Sequence, residues 1–340
     1  MIHPWNRLLW EQLPPFERLP PVLLLTGPDG VGKGEFALAL AKALLCREPR
    51  DRPEACGACQ SCRLFESGNQ PDIRILEPAT GEDDTDSTAS DGASAKAKAG
   101  VPARWIKVAA VRALADFLAL SSHFGGRRVV LLRPADRLHP AAANALLKTL
   151  EEPPASTHFL LVTGRAARLP ATVRSRCVRV LFGLPAPAAA SAWLREQGGQ
   201  QPDLALAQAG CAPLTALALD SAPYWSARTA LIEEALSRET LDPVATVDRL
   251  GTEQLALVVG SLQRWCYDLL AVKAGGPVRY NPDCAQILHR LAPRIGIEPM
   301  LAFSRELQSV ARWVEHPLNA RLVAERCLIG YKNAISNSES

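Results

Sequence analysis

"PPVLLLTGPDGVGKGEFALALAKALLC", residues 20 to 46, carries three signals in succession. Its first part is a short apolar run ending in Gly27, the pattern of a parallel strand buried on both faces. From Lys33 the apolar residues return at helical spacing, with Phe36, Leu40 and Ala43 or Leu44 on one face. Between strand and helix, Gly27, Gly30, Gly32 and Lys33 fill every fixed place of the phosphate loop GxxxxGK[ST] except the last, where Gly34 stands. In such a loop the glycines let backbone N–H groups wrap phosphate oxygens. The lysine reaches the outer phosphates, and the helix N-terminus adds its dipole. Strand, glycine loop and helix in this order predict a P-loop fold. Occupancy by a nucleotide is a separate question.

Hydrolysis needs more than the loop. A hydroxyl after the lysine and an acid at the end of a second strand hold Mg2+ in working sites. Gly34 has no hydroxyl, and the second strand, "VVLL" at 129 to 132, is followed by Arg133 and Pro134 instead of an acidic pair. A guanidinium there repels a metal ion by about 4 kcal/mol per unit charge, taking a separation of roughly 4 Å and an effective dielectric near 20. Asp136 lies four residues beyond the apolar run and is expected to act as a cap or turn residue, not as a rescuing ligand. ATP with Mg2+ is therefore not expected to be hydrolysed by this chain, although nucleotide bound without hydrolysis stays open.

Further apolar runs at 72 to 76, 158 to 163 and 177 to 182 alternate with helical patterns, so the expected architecture is α/β, a five-stranded parallel sheet with helices on both faces. Residues 79 to 103 contain almost nothing that could be buried and read as a tolerated surface insertion. Beyond 183 the composition turns helical. The expected organisation is an α/β domain over 1 to 183, a small helical lid over 184 to 220, and an all-α collar over 221 to 335. Across 340 residues Lys and Arg number 38 against 35 for Asp and Glu, which leaves no global field drawing the chain to nucleic acid or an anionic membrane. No run approaches eighteen apolar residues and the start lacks a signal-peptide pattern, so a cytoplasmic chain with no membrane contact is expected.

Cys46, Cys56, Cys59 and Cys62 have the spacing C-x9-C-x2-C-x2-C, the first at the end of the P-loop helix. Redox chemistry needs one CxxC and not this array. Four thiolates make a tetrahedral Zn2+ site without an open position, which is structural and not catalytic.

"NALLKTLEEPP" at 144 to 154, the four-cysteine insert after the P-loop helix, and "RSRC" at 174 to 177 together resemble the small AAA+ subunits of bacterial clamp loaders. "HPWNRLLWEQL" at 3 to 13, Pro71-Asp72 leading into a strand, and "HPLNARLVAERCLIGY" at 316 to 331 extend the resemblance over nearly the whole chain. The resemblance implies a hetero-pentameric ring within DNA polymerase III, built with gamma or tau ATPase subunits and a delta subunit, that loads the sliding clamp onto primed DNA. It also implies that Arg176 completes a neighbour's ATP site in trans, as an arginine finger. The losses at Gly34, Arg133 and Pro134 match the stator members of that family, which keep the finger and not the hydrolysis. "GCAPLTAL" at 210 to 217 lacks the second-domain sensor arginine, with Pro213 and Leu214 near its place, and Thr163 falls at the first sensor position. In the 144 to 154 helix, Leu146, Leu147 and Leu150 form an apolar stripe, while Asn144 and Lys148 either face DNA or are solvated face residues.

Three other readings compete, one of them a plain zinc DNA-binding module that the near-neutral charge and a "CGACQSC" insert poor in basic residues disfavour. An active gamma- or tau-type ATPase requires a hydroxyl at 34 and acids at 133 and 134. A nucleoside monophosphate kinase shares a loop like "GPDGVGK" but needs a lid arginine and a metal-holding hydroxyl, and has no use for a helical collar or a thiol cluster.

Overall fold

The computed structural model describes residues 2–48, 54–78, 105–236, 241–250, 255–311 and 319–336. The 79 to 103 insertion lies outside the described residues. The chain divides into two compact units, Met1–Leu184 and Pro185–Ser340.

In the first unit five parallel strands form one sheet in the order β2-β3-β4-β1-β5. They are β1 (Val22–Thr26), β2 (Ile73–Leu76), β3 (Arg128–Leu132), β4 (Thr157–Thr163) and β5 (Val178–Leu181). All five apolar runs picked out by pattern are strands. The three central ones, β3, β4 and β1, are buried at every position, which is why they read as continuous apolar runs without alternation. The two edge strands carry the exceptions, with Ile75, Val178 and Leu181 exposed.

Helices cover the sheet: α1 (Arg7–Glu11), α2 (Lys33–Leu45), α3 (Gln60–Glu66), α4 (Val108–Ala119), α5 (Pro140–Glu151) and the single turn α6 (Ala171–Arg174). Trp10 of α1 meets Phe36 of α2 edge to face at 5.1 Å, and Phe36 meets Phe182 at 5.0 Å, so the predicted apolar face of α2 is anchored from both sides. The buried Arg128 donates to the carbonyls of Phe117, Leu118 and Leu120, placing a cation on the C-terminal end of α4. Asp72, also buried, accepts from the backbone N–H groups of His123 (2.7 Å) and Phe124 (3.3 Å), and so ties the start of β2 to the loop before β3. Register places Thr26 of β1 level with Thr163 of β4. The loops leaving these two strands therefore emerge side by side at the carboxyl edge, where open α/β sheets build their sites.

The second unit is helical: α7 (Pro187–Glu196), α8 (Pro202–Gln208), α9 (Pro213–Leu219), α10 (Ala222–Leu231), α11 (Pro243–Leu250), α12 (Leu255–Lys273), α13 (Ala285–Leu291), α14 (Ile297–Ala311) and α15 (Ala320–Ser336). Two apolar cores occur in it. Ala190, Leu194, Leu206, Ala216 and Trp225 form the smaller, and a larger one surrounds Trp265 of α12. By length and composition α12 could cross a membrane, but half of its most apolar window is buried within the protein. Trp265, Leu262, Cys266 and Leu269 on its inner side are all fully buried, so α12 serves as the central core helix of this unit.

Candidate functional site

The phosphate-type loop follows β1 and opens α2. Gly30 (φ 76°) and Gly32 (φ 88°) take left-handed conformations that residues with a Cβ avoid, as the motif requires. Lys33, however, is turned back into its own loop. Its side chain is only 5% exposed, and Nζ donates to the Pro28 carbonyl at 2.5 Å while lying 3.4 Å from Asp29 Oδ1. Burial lowers the Lys33 pKa, and Asp29 and then Asp136 partly offset that. The N-terminal segment lies across the same loop. Trp5 Nε1 and Asn6 Nδ2 both donate to the Val31 carbonyl, at 3.0 and 2.8 Å. His3 stacks on Trp5 with ring centroids 4.9 Å apart. Lys33 thus closes the loop on itself through the Pro28 carbonyl and the Asp29 carboxylate.

The places where metal-holding groups belong are filled otherwise. Nothing lies within 4 Å of where a Gly34 side chain would begin. Arg133 forms an ion pair with Glu77. Because Leu76 pairs with Leu132, Glu77 and Arg133 are the next residues out of two neighbouring strands, so the guanidinium is turned toward β2, away from β4 and β1. Asp136 sits in the short turn Ala135–Arg137, but it is no helix cap: His139 caps α5 by accepting from Ala141 N. Instead Asp136 accepts from the Thr163 hydroxyl at 2.6 Å, and that hydroxyl accepts in turn from Arg165 N at 2.9 Å. The first sensor position is thus a tie between the β3 and β4 loops.

Arg176 follows α6 and is folded onto its own chain. Nη1 donates to the Thr172 carbonyl at 2.7 Å, Nη2 pairs with Glu151 at the end of α5, and Nε is buried without an acceptor. The side chain remains 31% exposed. In α5, Leu146 and Leu150 are buried and Leu147 half-buried, while Asn144 and Lys148 face outward.

Away from the loop, the Sγ atoms of Cys46, Cys56, Cys59 and Cys62 lie within 4.8 Å of one another, a set that could hold a metal ion. The geometry is that of a thiolate knuckle. Gly57 (φ 72°) makes the turn, Cys56 Sγ accepts from Cys59 N (3.0 Å) and Ala58 N (3.3 Å), and Cys46 Sγ accepts from Cys56 N (3.3 Å). Burial works against the Cys59 thiolate, but backbone donors and neighbouring thiols outweigh it and hold its pKa at about 6. Burial pushes Cys62, the innermost, up to about 12. Four sulfurs this close, without a cation, cannot all ionise, whereas a bound dication reverses that balance. Ser61 donates to the Leu45 carbonyl at 2.6 Å and receives from Gln70 at 2.6 Å, locking the knuckle to the end of α2.

Residues 9–185, essentially the α/β unit, match the family described as DNA polymerase III, delta subunit. The chain is 32% identical over 328 residues to DNA polymerase III subunit delta' of Yersinia pestis, an alignment covering 92% of this chain and 89% of that protein. The chain belongs to the DNA polymerase III delta-prime family. Another member, from Pseudomonas aeruginosa, is 37% identical over 236 residues, 68% of this chain and 65% of that one. The Escherichia coli K12 member is 32% identical over 304 residues, 85% of this chain and 82% of that one.

Within this delta-prime chain, several partners were not singled out from sequence. Glu77 had a usable signal, since it follows its apolar run just as Arg133 follows its own. Glu151 stood in plain view inside "LEEPP". Trp5, Asn6, Ser61 and Gln70 had none, because their roles depend on contacts made only in three dimensions.

Proposed function

We propose that this chain is the non-hydrolysing stator of the DNA polymerase III clamp loader, helping to load the sliding clamp onto primed DNA, with Arg176 completing the ATP site of a neighbouring gamma or tau subunit. The observation that carries this reading is the pair of places where a metal would be held: Gly34 brings no hydroxyl, and Arg133, paired with Glu77, stands where an acid would be needed. An active ATPase of the same family is disfavoured by Gly34, Arg133 and Pro134. Arg176 sits at the end of a helical turn, partly exposed and held by a single carboxylate. It can exchange Glu151 for a phosphoryl group of greater charge.

Cys46, Cys56, Cys59 and Cys62 fit one structural zinc, and their N–H···S bonds suit thiolates more than thiols. The zinc would cross-link the end of α2 to the start of α3. The second unit is read as a lid through about residue 220 and a collar beyond it; its two apolar cores suit a two-part division, with Trp225 of α10 reaching back into the smaller one. Exposed Ile297, Leu301, Leu322 and Ile329 on α14 and α15 suit a collar that packs against gamma, tau or delta subunits in a cytoplasmic hetero-pentamer.

The test is DNA-stimulated ATP hydrolysis by the loader reconstituted with its cognate ATPase subunit. With Arg176→Ala the ring assembles and hydrolysis at the site this chain completes falls by on the order of tenfold or more. An unchanged rate removes the finger assignment.

A further inference from the structure

Between α8–α9 and α12 the second unit carries a widely open cavity of about 430 Å³, lined among others by Thr215, Gly260, Gln263, Arg264, Tyr267 and Tyr280. Its size falls within the range of small-ligand pockets, roughly 300 to 1,000 Å³. Arg264 is the group it leaves unanswered. Among the described residues its one hydrogen bond runs from Nη2 to the Tyr224 hydroxyl at 3.3 Å, and its Nε is sealed from solvent without an acceptor. Among the described residues no carboxylate pairs with it.

Two neighbouring charged groups already have their partners. Arg228 holds Asp283 in a two-pronged pair at 2.8 and 2.9 Å. Asp268, fully buried, accepts from the backbone N–H groups of Arg279, Tyr280 and Asn281 and from the Asn281 side chain. Arg279, whose guanidinium lies 5.3 Å from the Tyr280 ring and bonds Tyr267, is a second cation behind that wall, so Arg264 is the one that lines the cavity itself. Burial holds Arg264 below the ordinary arginine value; Tyr224 works against that shift and Arg228 with it. The backbone makes room for this guanidinium. Gly260, one turn before Arg264 in the middle of α12, would place a Cβ 3.3 Å from Nη2 and 3.4 Å from Nη1. Glycine inside a helix is unfavourable against alanine, so the position favours the space over the helix.

We propose that this cavity is a carboxylate site, in which Arg264 takes one singly charged carboxylate and the Tyr267–Tyr280 wall packs against the carbon atoms behind it. Among the residues lining the cavity Arg264 is the one cation and no acid faces it, which suits a singly charged anion. The planar fork of arginine suits two carboxylate oxygens. The Tyr267 and Tyr280 rings, edge to face at 5.2 Å, supply apolar surface for a stem. The same chemistry would serve a free small acid or the side chain of a glutamate or aspartate on a partner chain.

The full-length protein is titrated by calorimetry and thermal unfolding with sodium acetate, with glutamate blocked at both ends as an amide, and with inorganic phosphate, each against sodium chloride at equal ionic strength. Saturable binding and a raised melting temperature are expected with the two carboxylates and not with chloride. Blocked glutamate binding tenfold or more tightly than acetate assigns the site to a chain-borne side chain, and equal binding assigns it to a free acid. Arg264→Gln abolishes the effect, while Arg195→Gln, an exposed arginine paired with Asp203, keeps it. Without any carboxylate, Arg264→Gln melts no lower than wild type, because it removes an uncompensated charge. That control separates lost binding from lost folding. Carboxylates that stabilise no better than chloride, an effect that persists in Arg264→Gln, or phosphate binding more tightly than both carboxylates would overturn the proposal.

Discussion

Gly32 and Gly34 stand two places apart in the loop and meet opposite surroundings. Gly32 has φ 88°, and a Cβ there would fall 2.5 Å from His3 Cδ2 and 3.0 Å from Asn6 Nδ2. Gly34 opens onto empty space in the first turn of α2. Gly32→Ala is therefore expected to destabilise the α/β unit by about 2 kcal/mol or more, combining left-handed strain with displacement of the N-terminal segment. Gly34→Ser, which restores the missing hydroxyl, should change stability by no more than about 0.5 kcal/mol. Urea unfolding of both variants checks the pair. The hydroxyl alone should not restore ATP hydrolysis, since Lys33 remains bonded to Pro28 and Arg133 and Pro134 still stand where acids would hold the metal. Measurable turnover by isolated Gly34→Ser would mean that the loop can reopen. The absence of a hydroxyl at 34 was legible from sequence. The contact that makes Gly32 indispensable was not, because His3 and Asn6 reach it from more than twenty-five residues away.

At the level of elements, legibility followed the kind of burial. β1, β3 and β4 are covered on both faces, so they read as apolar runs without any knowledge of neighbours, and CxxC spacing announced the knuckle in the same local way. What pattern could not supply was attachment. Ser61 and Gln70 lock α3 to α2, Asp136 binds Thr163 rather than capping α5, and Glu151 joins the end of α5 to the turn that carries Arg176. Each is a polar contact between elements distant in sequence, which periodicity does not encode. The knuckle also yields a direct test. Metal analysis of the purified chain should find one zinc per molecule, and Cys59→Ser should lose it. If zinc stands at a hundred times its dissociation constant, the lost stabilisation is about 2.7 kcal/mol. Thermal unfolding with and without chelator would register the same loss in wild type and none in Cys59→Ser. A chain that binds no zinc, or that is indifferent to chelator when loaded, removes the metal from the account.

Over the whole molecule, two units carry cores of different construction, a sheet filled by aliphatic strands and a helical bundle organised around aromatic residues. The bundle core contains a buried polar chain. Trp265 Nε1 donates to the Tyr331 hydroxyl at 2.9 Å, and that hydroxyl donates to the Leu236 carbonyl at 3.1 Å, with Trp265 and Tyr331 both fully buried. Burial pushes the Tyr331 pKa well above the ordinary tyrosine value, so the hydroxyl stays a donor at any physiological pH. Tyr331→Phe leaves the cavity filled but strands two partners, the indole N–H and the carbonyl. Each stranded group costs about 1 to 3 kcal/mol when water cannot reach it. The loss should fall on the helical unit alone, because α15 and α12 share that core and the sheet has its own. Calorimetry of the full chain would then resolve two transitions, with only one of them lowered by Tyr331→Phe. The double variant Trp265→Phe with Tyr331→Phe should lose less than the sum of the two single losses, since it removes donor and acceptor together. A single transition that moves as one block would show that the units unfold cooperatively. Additive losses would show that the indole and the hydroxyl are not coupled in solution.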